Sequence, residues 1–149
     1  MNFASIRHTS APAATILIRL AVGATFVSEG LQKFLRAAEV GAGRFEKIGL
    51  PSPEVLAPLV GSFEVVCGAL VLAGILTRVA TLPLIVIIGT AIATTKVPIL
   101  LQDGFWVMAH ASRTDFAMLL GLFFLVIVGA GPLSWDARGA EASRGRIHS

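Results

Sequence analysis

The chain has 149 residues, 55% of them hydrophobic and 14% charged, with a formal net charge of +3. A soluble domain carries about 25% charged residues. The polar shell a soluble enzyme needs is therefore missing, and the same apolar excess excludes a disordered chain. The cations fall between apolar runs rather than along one stripe, which sets aside nucleic acid and leaves the lipid bilayer as the partner.

The first apolar segment spans about 13–35. Its length suits a helix across a hydrocarbon core of about 30 Å. Arg7 ahead of it resembles the start of a cleaved signal, but Arg19 and Glu29 inside the segment do not suit a signal core. The segment is therefore read as a retained transmembrane helix. Gly23 and Gly30 are seven residues apart and share a face. Residues 36–52 hold Gly41, Gly43, Gly49 and Pro51 among mixed charges and read as a loop.

A second helix is expected over about 53–76, with Gly61 and Gly68 again seven apart. Small residues on one face let helices approach closely in lipid. Thr77-Arg78 reads as a minimal turn, so the second helix and a third, about 79–95 and able to run on because apolar residues resume at Ile99-Leu100-Leu101, are antiparallel neighbours. A loop over about 96–112 carries Phe105-Trp106, a pair suited to the lipid–water interface. A fourth helix is expected over about 113–130, and residues 132–149 read as a polar, loose tail. No strict two-residue alternation supports strands. The expected fold class is all-α, an integral membrane four-helix bundle forming one domain over residues 1–149.

Four helices put both termini on one side. Arg7, Arg78, Arg138, Arg144 and Arg146 fall there, against Lys33, Arg36, Arg44, Lys47, Lys96 and Arg113 opposite. Counting cations barely separates the two orientations. Cytoplasmic termini in a bacterial inner membrane are the expectation, that being the commoner arrangement for short bundles without a cleaved signal.

Charges within the apolar segments carry the most information, because each costs at least about 2.5–3.5 kcal/mol at a helix centre. Glu64 sits at the middle of the second helix, too deep to reach either surface. It must be protonated, paired or facing a wet cavity. Glu29 precedes Lys33 by four residues, in the order that favours a local ion pair. Arg19 enters from the other end of the same helix. If the first two helices are antiparallel, Glu64 lies at a depth between Arg19 and Glu29, about 7–9 Å from each. An Arg19–Glu64 pair is then within reach, and snorkelling of Arg19 to the headgroups is the alternative. Asp115 opens the fourth helix, where a carboxylate suits the helix dipole. With His110 just outside, it can join Glu29 and Lys33 in rimming a cavity on that side. Arg78 is expected to anchor the turn.

The ligand-binding or proton-transfer candidates are thus Glu64, Glu29, Arg19, Lys33 and Asp115. Cys67 is the one cysteine, which excludes an internal disulfide, a CxxC pair and a cysteine zinc site. No histidine lies inside a long apolar run, against paired haem ligation. No metal or covalent cofactor is expected.

Several stretches resemble the DoxX family of small bacterial membrane proteins. They are Ile18-Arg19-Leu20-Ala21-Val22-Gly23 leading to Glu29-Gly30-Leu31-Gln32-Lys33-Phe34, Val60-Gly61-Ser62-Phe63-Glu64 through Gly68, Gly74-Ile75-Leu76-Thr77-Arg78, and Asp115-Phe116-Ala117 through Gly131-Pro132-Leu133-Ser134-Trp135-Asp136. The resemblance covers about residues 15–136. It implies a four-helix membrane bundle. The family takes its name from a subunit of a thiosulfate:quinone oxidoreductase, and other members are linked to oxidative or quinone stress. Where family members usually have a histidine near Gly30-Leu31, this chain reads Val27-Ser28-Glu29-Gly30, and it has no tyrosine to donate to a quinone.

Three readings follow. The first is a membrane subunit in redox or oxidative-stress physiology, holding a quinone or lipid-like ligand near Glu64, Arg19 and Glu29 while a soluble redox enzyme supplies electrons. The second is a small proton-coupled transporter, which resembles the small multidrug-resistance exporters in size and plan and would work as a homo-oligomer. The third is a scaffold that recruits soluble enzymes to the membrane.

Overall fold

A computed structural model describes residues 11–139. Arg7, Arg144 and Arg146 of the orientation count, and the tail beyond 139, lie outside the described residues. The described residues are helical and loop, with no strand among them. In chain order the helices are α1 (Thr15–Leu35), the short α2 (Ala42–Lys47), α3 (Pro53–Ala73), α4 (Thr77–Asp103), α5 (Phe105–Ala111) and α6 (Arg113–Val128). Two of them, α3 and α4, are long and apolar enough to cross a membrane. A third span results if α5 and α6, bent by 62° at their junction, count as one. α1 matches α3 in length but carries Arg19, Glu29 and Lys33.

The most extensive packing joins α1 to α3, and glycine sets it. A Cβ on Gly30 would stand 2.7 Å from the carbonyl oxygen of Gly61, and one on Gly23 would stand 2.8 Å from that of Gly68. The two pairs fix one antiparallel register, with backbones touching at both levels. α4 packs against α3 and α6. The core they share holds Val22, Phe26, Cys67, Val71, Leu84, Leu122 and Leu125. Leu17, Val55, Leu101, Phe116 and Ile127 point outward and are well exposed, as side chains facing lipid must be.

Three boundaries depart from the sequence expectation. α3 stops at Ala73 rather than 76, because Gly74 ends it in the left-handed conformation (φ +71°). The turn is therefore Gly74–Leu76, and Thr77 already belongs to α4. The loop expected over 96–112 is largely helical. α4 runs on to Asp103 through a π-helical turn at Ile92–Lys96. Pro98 explains that turn: it cannot donate to the carbonyl of Thr94 and its ring crowds it, so the helix widens just ahead of the proline. Finally, the described part of the tail is folded. Residues 135–139 are helical, and Ser134 and Asp136 are buried.

Candidate functional site

The charged residues of α1 separate into two places. At the turn end, Arg19 is 2% exposed and fully engaged. Its Nε donates to the Val71 carbonyl at 2.9 Å, and Nη2 donates to that of Leu72. Nη1 donates to the carbonyls of Leu133 (2.6 Å) and Ala130 (3.3 Å). Val71 and Leu72 lie in the last turn of α3, where carbonyls lack the N–H four residues on and the dipole favours a cation; Val71 also accepts from the Gly74 N–H at 3.2 Å. Gly74 makes room, since a Cβ there would lie 2.7 Å from the guanidinium carbon. Beside this knot, Asp136 accepts from the backbone N–H groups of Leu76 (2.9 Å) and Thr77 (3.0 Å) and so caps α4. Its own N–H donates to the Gly74 carbonyl. Those bonds hold Leu76 in a left-handed conformation (φ +47°) that a leucine rarely takes. Arg78 ties the start of α4 to the carbonyl of Ile127 at 2.9 Å.

The expected Arg19–Glu64 pair is not formed, and helix geometry explains why. Helical side chains lean toward the N-terminus of their own helix. On antiparallel helices Arg19 therefore leans toward the end of α3, while Glu64 leans toward its start. The two turn away from each other. Lys33 and Glu64 lean toward each other instead. Their Nζ–Oε2 distance is 2.5 Å, with side chains 11% and 5% exposed. The same bond replaces the expected Glu29–Lys33 pair.

Lys33 and Glu64 face a cavity of about 570 Å³ at the end of the bundle remote from the turn. Glu29 and Thr25 of α1, Arg44 and Phe45 of α2, Val60 of α3, Thr90, Thr94, Thr95 and Lys96 of α4, and Asp115 and Met118 of α6 also line it. Lys96 Nζ lies 3.1 Å from Asp115 Oδ2, so Asp115 pairs across to α4; the α6 N-terminus has no side-chain cap. The π-helical turn includes Thr94, Thr95 and Lys96 and lies directly on the cavity wall. Four of the five residues nominated from sequence meet here; Arg19 does not. His110 is not among the lining residues, and Cys67 belongs to the core.

Sequence reasoning missed Arg44, Lys96 and the α4 threonines as lining residues. A signal existed in Thr90, Thr94 and Thr95, the latter two lying four and five residues after the first in a run that is otherwise apolar. Among the described residues, no group of three or more His, Cys, Asp or Glu could hold a metal ion.

The DoxX family profile matches residues 14–97. A curated relative, the uncharacterized membrane protein Rv3486 of Mycobacterium tuberculosis, is 50% identical over 137 residues, covering 88% of this chain and 84% of its own length. No solved structure matches the chain.

Proposed function

The chain belongs to the DoxX family and is a membrane protein, and from that premise we propose that its cavity receives the polar end of an amphiphile, a lipid-like molecule or a quinone. In this reading α1, α3, α4 and the bent α5–α6 pair are the four spans. The protein is then an accessory, non-catalytic subunit of the bacterial inner membrane with cytoplasmic termini. Redox or oxidative-stress physiology, with a soluble redox enzyme as electron donor, is what the family resemblance adds.

One observation supports the reading above others. Ion-paired Lys33 and Glu64, with Glu29 and Asp115, come from three helices to one cavity whose wall is otherwise mainly apolar, interrupted by Arg44, Lys96 and several threonines. Ligand sites combine mainly apolar walls with a few convergent polar groups, in volumes of about 300–1,000 Å³. Charges inside a membrane bundle that face a cavity mark ligand or proton paths. Lys33 keeps two ammonium hydrogens beyond the one given to Glu64 and can donate them to a ligand oxygen. Glu64 can hold or release a proton beside it.

The test is mass spectrometry of small molecules that co-purify with the protein in mild detergent, wild type beside Glu64→Gln. The expected result is a lipid or quinone retained by the wild type and lost from a folded Glu64→Gln variant. Equal retention in both would remove Glu64 from the site. Soluble enzymes retained by both, with no small ligand, would favour the scaffold.

A further inference from the structure

We infer that the ligand of this cavity is a zwitterionic amphiphile, one apolar body carrying a primary ammonium and an oxyanion. The inference rests on the reading of the cavity as a ligand site and narrows it to a chemical class.

The charges that line the cavity do not all pair with one another. Three acids and three bases line the cavity, and two pairs are internal: Lys33–Glu64 and Lys96–Asp115. Glu29 and Arg44 are left over, and among the described residues neither makes a salt bridge. Glu29 is also close enough to act electrostatically on Glu64. Glu29 is exposed and makes no salt bridge to Lys33, so the α1–α3 side brings two carboxylates against one ammonium and is short of one cation. Arg44 on α2 is short of one anion, and its planar fork suits a phosphate or carboxylate in two-point contact. A ligand with one charge of each sign meets both needs, whereas an anionic or a neutral headgroup leaves Glu29 unmet.

The threonines sharpen the cationic end. Thr25 donates its hydroxyl hydrogen to the Ala21 carbonyl, Thr90 to Val86, Thr94 to Thr90 and Thr95 to Ala91. Each hydroxyl has spent its single hydrogen within its own helix and offers only lone pairs elsewhere. Such a wall suits N–H donors. A primary ammonium has three of them, and a quaternary ammonium has none. Phe26, Ile87 and Met118 supply apolar wall for the hydrocarbon part.

The test is a titration of the full-length protein in detergent, followed by native mass spectrometry. The probes are lysophosphatidylethanolamine, lysophosphatidylcholine and lysophosphatidylglycerol of one chain length. The ethanolamine form is expected to bind about tenfold more tightly than the glycerol form, the scale of one charge-assisted hydrogen bond. Glu29→Gln should erase that preference, Glu29→Asp should restore it, and Arg44→Gln should weaken all three probes. Equal or tighter binding of the glycerol or choline form would overturn the inference, as would an unchanged preference in Glu29→Gln. If no probe binds the wild type while a quinone does, this inference fails and the cavity reading stands. If neither probes nor quinone bind, the cavity reading fails with it.

Discussion

The two ends of α1 put similar charges to different uses. At the turn end, Arg19 is buried, and its hydrogen bonds go to four backbone carbonyls, which ties α3 to the chain following α6. Nothing is left for a ligand to displace. At the cavity end, Lys33 and Glu64 hold each other but border about 570 Å³ of space. Both still have hydrogen-bonding capacity to spare. A buried charge whose hydrogen bonds all go to backbone, with the Asp136 carboxylate close by, is a fastening. A buried pair with room beside it is where the proposed ligand would sit. Residue type does not separate the two cases; the partners do.

Mutations should break this contrast in a graded way. The largest effect is expected at Arg19. Arg19→Met strands the carbonyls it serves, and about 3–5 kcal/mol of stability should be lost, as when a buried charge network loses a member. Unfolding in a detergent titration measures it. Arg19→Lys should rescue little, since a point ammonium cannot span the sites that a guanidinium fork reaches.

Next comes the helix contact. Gly30→Val forces side-chain carbon into the Gly61 backbone, and overpacking of this kind costs about 1–3 kcal/mol. The same unfolding titration should show it, and helix-to-helix crosslinking should report a wider α1–α3 gap. Asp136→Ala removes the cap of α4 and should cost about 1 kcal/mol.

Lys33 and Glu64 give the sharpest comparison. Lys33→Met leaves the Glu64 carboxyl beside a lost partner, and the single variant should be less stable than the double variant Lys33→Met with Glu64→Gln. A double-mutant cycle on unfolding free energy checks this. Additive losses would mean that the pair is not coupled. The smallest effect is expected at Lys96 and Asp115. Their side chains are 15% and 27% exposed, and Asp115→Asn should change stability by less than about 1 kcal/mol while altering ligand retention.

Much of this was legible in the sequence. The apolar runs located the long helices, the paired glycines marked the α1–α3 face, and of the three intramembrane charges Glu29 and Glu64 line the cavity, with Lys33 and Asp115 nominated from their places beside Glu29 and at the start of α6. Pairing was not legible. Arg19, Glu29 and Lys33 all lie within reach of Glu64 by rise along the helix alone. The direction in which side chains lean decides among them, and that needs the antiparallel register. The role of Asp136 was hidden too, because a polar residue beyond the last helix looks like tail until a fold places it under Leu76. The π-helical turn follows from Pro98, yet its effect on the cavity wall depends on which face of α4 turns inward.

The most direct test is a thermal unfolding measurement on delipidated wild type and Glu64→Gln, each with and without its lipid extract added back. Both delipidated proteins are expected to fold, Glu64→Gln melting lower because Lys33 loses its carboxylate, and only the wild type should gain stability on add-back, as a protein does when a ligand binds its folded form. The contradicting result is a delipidated Glu64→Gln that melts far below the wild type while both gain equally from the extract. Glu64 would then be a fastening like Arg19, and the contrast between the two ends of α1 would disappear.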